Sequence, residues 1–185
     1  YKMTFPDISD KSKFTCYQVV DPAGARNYTC IWAGVNKDGE VFIRKEWPDR
    51  DTYGEWAMFG DPKWKYGPAA KKIGLNVEGY CELFEEIEGD LGIEVTERIG
   101  DSRFFARENE NNDDLFTSFY DFGLSFLPSD GKMEEQGITA LDDWFNYNPN
   151  VDIDQANRPR CYIHAECGNL IDSLINYNAG GKPEE

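Results

Sequence analysis

Apolar and polar positions alternate in short runs over the first part of the chain. The runs Phe14 to Val20, Tyr28 to Val35 and Glu40 to Trp47 predict three β-strands. Asn36-Lys37-Asp38-Gly39 has the polar, glycine-ended chemistry of a hairpin turn, which makes the second and third strands antiparallel neighbours. Pro22 to Asn27 returns the chain from the first, so a three-stranded meander is expected. From Pro48 to Gly74 the pattern breaks. Pro48, Gly54, Gly60, Pro62, Gly67 and Pro68 exclude a helix or a central strand, and the aromatic residues from Trp47 to Tyr66 predict an excursion that packs down on the surface.

The period then changes to that of a helix. Val77, Tyr80, Cys81, Phe84 and Ile87 form a buried stripe, Gly92 stops the helix, and Ile93 to Ile99 reads as a fourth strand. A second helix spans about Asp113 to Phe122, with a short strand from Leu124 to Leu127. A third helix begins near Glu134, with Ile138, Leu141, Trp144 and Phe145 buried, and breaks at Asn148-Pro149. A last strand covers about Arg160 to His164, and a final helix carries Cys167, Leu170, Ile171, Leu174 and Ile175 as far as Ala179-Gly180-Gly181. No internal repeat occurs. A meander followed by helix and strand in alternation describes an α/β fold, a mixed sheet with helices on both faces. The first strand is expected to be central, with the fourth parallel beside it.

That arrangement gives two aspartates a common destination. Asp21 follows Val19-Val20 and Asp101 follows Arg98-Ile99-Gly100, each at the end of a strand and each before turn residues. Parallel neighbours would deliver both to one edge, where open α/β sheets place ligands. Hard divalent cations need rigidly held oxygen ligands, and two adjacent strand ends can supply one carboxylate each. The competing reading is that both are ordinary turn aspartates.

Composition narrows the choice. At 185 residues the chain fits one domain that buries roughly two thirds of its unfolded surface. The 40% hydrophobic and 15% aromatic content argues against intrinsic disorder. A net charge of −16 excludes a broad basic surface, so a nucleic-acid role must be local. Five irregularly spaced cysteines and the absence of a signal-like start point to the cytoplasm, and no apolar run reaches the length of a membrane span. Cys161, His164 and Cys167 have zinc-ligand spacing but lack a fourth ligand nearby; two buried cysteines with a packed or capping histidine explain them equally.

The element order and its strand-end aspartates resemble the ribonuclease H-like nuclease fold. Within that group, Val20-Asp21-Pro22-Ala23-Gly24, Gly54-Glu55-Trp56-Ala57, Arg98-Ile99-Gly100-Asp101, Phe126 to Lys132 leading into Gly137-Ile138, and Cys167-Gly168-Asn169-Leu170-Ile171 followed by Tyr177 resemble the C-terminal nuclease domain of a tailed-phage terminase large subunit. The order and spacing of these segments carry the resemblance over most of the chain.

The resemblance implies a two-metal endonuclease that cuts concatemeric double-stranded viral DNA during genome packaging. Asp21 would be the ligand able to bridge two Mg²⁺ or Mn²⁺ ions, and Asp101 the second. It further implies a portal protein and a small terminase subunit as partners, and the cytoplasm of a bacterial host as location. Two family parts are missing from the sequence. The third carboxylate belongs to a later helix, expected beyond Glu185, for which Asp172 is the tempting but unassigned substitute. No phosphate-loop motif occurs, so an ATPase motor would precede Tyr1 and this domain is expected to hydrolyse no ATP.

Arg26, Arg103, Arg107 and Lys132 follow the strand ends and are the candidate phosphate contacts. Two other readings compete. One is a different ribonuclease H-like phosphotransferase of resolvase or integrase type. The other is a non-catalytic acidic docking module that binds a protein through the Trp47 to Tyr66 excursion.

Overall fold

In the computed structural model, residues 4–22, 27–57, 62, 73–105, 115–129 and 134–176 are described, with backbone alone at 103, 134 and 135. The strands are β1 (Phe14–Asp21), β2 (Thr29–Asn36), β3 (Val41–Trp47), β4 (Val95–Gly100), β5 (Phe126–Pro128) and β6 (Cys161–Ile163). The helices are α1 (Arg50–Tyr53), α2 (Val77–Leu91), α3 (Ser102–Phe105), α4 (Leu115–Asp121), α5 (Glu134–Phe145) and α6 (Gly168–Ile175). The strands form one six-stranded sheet in the order β5-β4-β1-β2-β3-β6. β1, β2 and β3 are the antiparallel meander, while β4 runs parallel to β1, β5 to β4 and β6 to β3.

Alternation along the strands sorts the two faces. Val20, Cys30, Trp32 and Trp47 are buried and share a cluster with Tyr80, Cys81, Phe84 and Ile87 of α2. Trp47 meets Tyr80 edge-on, at 5.5 Å between ring centroids. Glu46 is the next residue of β3 and turns to the opposite face, where it is fully buried and accepts the N–H groups of Asn169 (3.0 Å) and Leu170 (2.8 Å). That carboxylate satisfies the free donors at the start of α6. Burial raises its pKa, and the two hydrogen bonds oppose the rise. Helices α2 and α6 therefore lie on opposite faces.

The excursion after Trp47 holds a one-turn helix, contrary to the expectation that its prolines and glycines exclude one. Asp49 caps α1 by accepting the Thr52 N–H, and Gly54 ends it at φ 86°, so the turn fits between the two breakers. The excursion packs down at Trp56, whose indole N–H donates to the Pro48 carbonyl at 2.8 Å, and at Asn169, which accepts the Trp56 N–H. Phe59, Trp64 and Tyr66 lie outside the described residues. α3 is a second helix that the pattern does not predict, and β6 takes the edge beside β3.

Beneath β1 and β4 the sheet carries a buried polar network. Glu88 of α2 receives both terminal nitrogens of Arg98, at 2.6 and 2.8 Å, together with the Trp32 indole N–H at 3.0 Å. Arg98 also donates to Gln18, its partner across the β1–β4 pair. A buried charge that loses its partner costs about 3–5 kcal/mol, whereas replacing the whole pair by apolar residues is close to neutral. Glu88→Ala should therefore destabilise the chain by about that amount in urea unfolding, and Glu88→Leu with Arg98→Met should recover most of the loss. A double variant whose loss equals the sum of the losses of the two single variants would mean that the pair is not coupled.

Candidate active site

Asp21 is the last residue of β1, and Asp101 directly follows β4. The pairing of Val20 with Gly100 makes these aspartates the next residues outward on neighbouring parallel strands. Adjacent strands stand about 4.8 Å apart, so the two carboxylates share one end of the sheet. Asp21 also faces Thr29 across the antiparallel pair with β2. Its charge reaches the Cys30 thiol, which burial first and Asp21 second push well up in pKa.

Asp101 is held through its backbone. Its carbonyl accepts from Phe104 N–H (2.9 Å) and Phe105 N–H (3.1 Å), folding α3 back against the strand end. On the β5 side, Ser129 N–H donates to the Gly100 carbonyl at 2.8 Å, and Ser129 Oγ accepts the Ser102 N–H at 3.2 Å. Gly100 permits this return. A Cβ placed on it would stand 2.1 Å from Cδ2 of Phe105. Phe105 in turn stacks on Phe126, with centroids 4.6 Å apart. The motif is visible in the sequence as Gly before Asp, but nothing local shows which ring needs the space.

Asp172 is committed elsewhere. Its carboxylate pairs with Arg50 at 2.5 Å, and the same guanidinium holds Glu55. Among the described residues no three His, Cys, Asp or Glu side chains gather as a metal cage. Of the candidate phosphate contacts, Arg26, Arg107, Lys132 and the Arg103 side chain lie outside the described residues.

The cysteine–histidine triplet takes the packed arrangement. Cys161 and Cys167 are buried, and burial pushes their thiols up to about 11 and about 12. All five cysteines are free thiols. His164 Nδ1 faces Arg44 Nη1 at 3.2 Å and accepts the Glu166 N–H at 3.3 Å, which requires the neutral ring with its proton on Nε2. Burial chiefly, and then Arg44, lower its pKa, while Glu166 opposes them. A depressed imidazole pKa adds stability that is present above about pH 6.5 and lost as pH falls through the folded value. This is the chain's one histidine, so its Hε1 proton resonance should titrate alone, with a midpoint below 6.5. A midpoint at or above that value would contradict the Arg44 contact.

Among the described residues no helix is long and apolar enough to cross a membrane. Comparison with protein-family models, with curated proteins and with solved structures finds no match to the chain. The functional reading rests on the residues themselves.

Proposed function

We propose that this chain is a metal-dependent endodeoxyribonuclease domain of ribonuclease H-like type, similar to terminase nuclease domains and acting on double-stranded DNA. The observation that carries the reading is the Val20–Gly100 register, which sets Asp21 and Asp101 side by side at the carboxyl ends of the neighbouring parallel strands β1 and β4. Around them the sheet order is β3-β2-β1-β4-β5, with β6 at the β3 edge.

Two neighbouring carboxylates suit Mg²⁺ or Mn²⁺. Such ions take one or two protein carboxylates and complete their shells with water and phosphate oxygens. Asp21 and Asp101 would hold such ions, which would supply a more acidic bound water and neutralisation of charge at the leaving O3′ oxygen for hydrolysis of the phosphodiester. The chain's part is to fix the carboxylates. The Arg98–Glu88–Gln18 network lies three residues behind both aspartates, and Ser129 and α3 clamp the backbone around Asp101.

A third carboxylate would come from outside the described residues. Val19 and Leu127, in one cross-strand row with Ile99, are exposed on the face opposite α2, where a further helix could lie.

The test is cleavage of linear duplex DNA by the purified chain with Mn²⁺ or Mg²⁺, against a chelator control. Metal-dependent cutting of plain duplex supports the reading. Cutting confined to branched junctions favours a resolvase-type enzyme, and no metal binding by calorimetry would end the nuclease proposal.

A further inference from the structure

A run of exposed apolar residues far along the chain is left unused by the sheet edge and its aspartates. Trp144, at the end of α5, is 40% exposed, contrary to the expectation that it is buried, and Tyr147, Val151 and Ile153, in the connection to β6, are 42%, 53% and 39% exposed. Isolated exposed apolar side chains are ordinary, but four large ones within ten consecutive residues are not.

Hydrogen bonds shape this segment. The Asn157 side chain donates to the carbonyls of Asn148, Val151 and Asp152 and accepts the Asn148 N–H at 2.7 Å. Arg160 N–H closes the loop onto the Trp144 carbonyl at 2.6 Å. A surface already ordered loses less entropy when a partner binds, and Trp and Tyr supply much of the energy at protein interfaces.

Charge selects the partner. Asp142, Asp143, Asp152 and Asp154 are exposed among these apolar residues, and from 134 to 157 the sequence has six acidic residues and no lysine or arginine. The first cation, Arg158, is paired with Glu40 at 3.0 Å. Such a surface repels nucleic-acid phosphates and anionic lipid, and attracts cations.

We propose that the segment from Trp144 to Ile153 is a docking surface for a protein partner whose contact face is apolar and ringed with lysine or arginine. The segment leads into β6, the edge strand beyond β3, whereas Asp21 ends β1 and Asp101 follows β4, on the other side of β2 and β3. The proposal is therefore independent of the nuclease reading.

The probe is a short amphipathic helical peptide with leucine on one face and lysine on the other, titrated into the ¹⁵N-labelled 185-residue chain. Amide shifts should concentrate between residues 142 and 157 and include the Trp144 indole N–H. Trp144→Ala should weaken binding about tenfold or more, and Tyr147→Ala, outside the helix, should weaken it without changing the thermal melt. Replacing the four aspartates with asparagine should also weaken binding and flatten its salt dependence. Shifts spread over other acidic surface, equal binding of a peptide with glutamate in place of lysine, or indifference to both aromatic substitutions would overturn the proposal. Self-association of the chain that is lost in Trp144→Ala would also overturn it, by making a second copy the occupant.

Discussion

Asp21→Asn should lower metal-dependent cleavage of linear duplex DNA by about three orders of magnitude, with a smaller loss for Asp101→Asn. Metal-ion catalysis contributes several kcal/mol to phosphoryl chemistry, and each 1.36 kcal/mol is tenfold in rate. Asparagine preserves the shape of the side chain but removes the charge that a hard cation requires. Asp21 is expected to be the more sensitive position because, in the proposed reading, it would be the ligand shared by two ions. The same substitution gives a readout apart from catalysis. Mn²⁺ should raise the melting temperature of the wild-type chain, since a ligand that binds only the folded state stabilises it, and Asp21→Asn should abolish that rise. Undiminished cleavage in both variants would show that the two aspartates are turn residues and that any active site lies elsewhere.

Gly100→Ala should be among the most damaging single-methyl changes in the protein. The added Cβ would come to 2.1 Å from Cδ2 of Phe105 and 2.3 Å from Cε2, distances no pair of non-bonded carbon atoms sustains. The ring has little room to retreat. Phe105 is 1% exposed, stacks on Phe126 and stands 6.1 Å from Phe119, so relief requires α3 to lift or β4 to shift. Overpacking a rigid core costs typically 1–3 kcal/mol, and here a loss of about 3 kcal/mol or more is expected in urea unfolding. Because α3 hangs from the Asp101 carbonyl, its displacement should also weaken Mn²⁺ binding. Phe105→Ala alone opens a cavity at a cost of about 3–5 kcal/mol, yet adding Gly100→Ala to it should cost little more, since the clash is gone. Additive losses in the double variant, or a change below about 0.5 kcal/mol for Gly100→Ala alone, would contradict the packing described.

The two predictions differ in how much of their basis is legible in the sequence. Asp21 and Asp101 can be picked out by reading along the chain, because each follows an apolar strand run and precedes turn residues, and the α-β alternation after the meander makes β1 and β4 parallel neighbours. The role of Gly100 cannot be read that way. Glycine before an aspartate signals a turn, but only the fold shows that Phe105 returns beneath it. Asp172 makes the same point from the other side. Its place on α6 makes it a tempting third ligand, and its bond to Arg50, 122 residues earlier, removes it.

What the sequence determined by itself is what short-range periodicity encodes. The meander, the α2 stripe from Val77 to Ile87, the strand before Asp101 and the final helix all follow from side chains a few residues apart that must share one face. Most boundaries moved by a residue or two where hydrogen bonds rather than hydropathy set the ends, as when β1 runs on to include Asp21, and α6 stops at Ile175, short of the expected Ala179. The tertiary structure alone decided which distant groups meet. It set the Val20–Gly100 register, seated Glu46 on the start of α6, joined Arg98 to Glu88 and Gln18, and fitted α1 between Pro48 and Gly54. The physical reason is that a strand's pattern shows that a side chain is buried, but not what it is buried against. That depends on packing whole elements together, and buried charges and carbonyls then take the partners that the packing brings within reach.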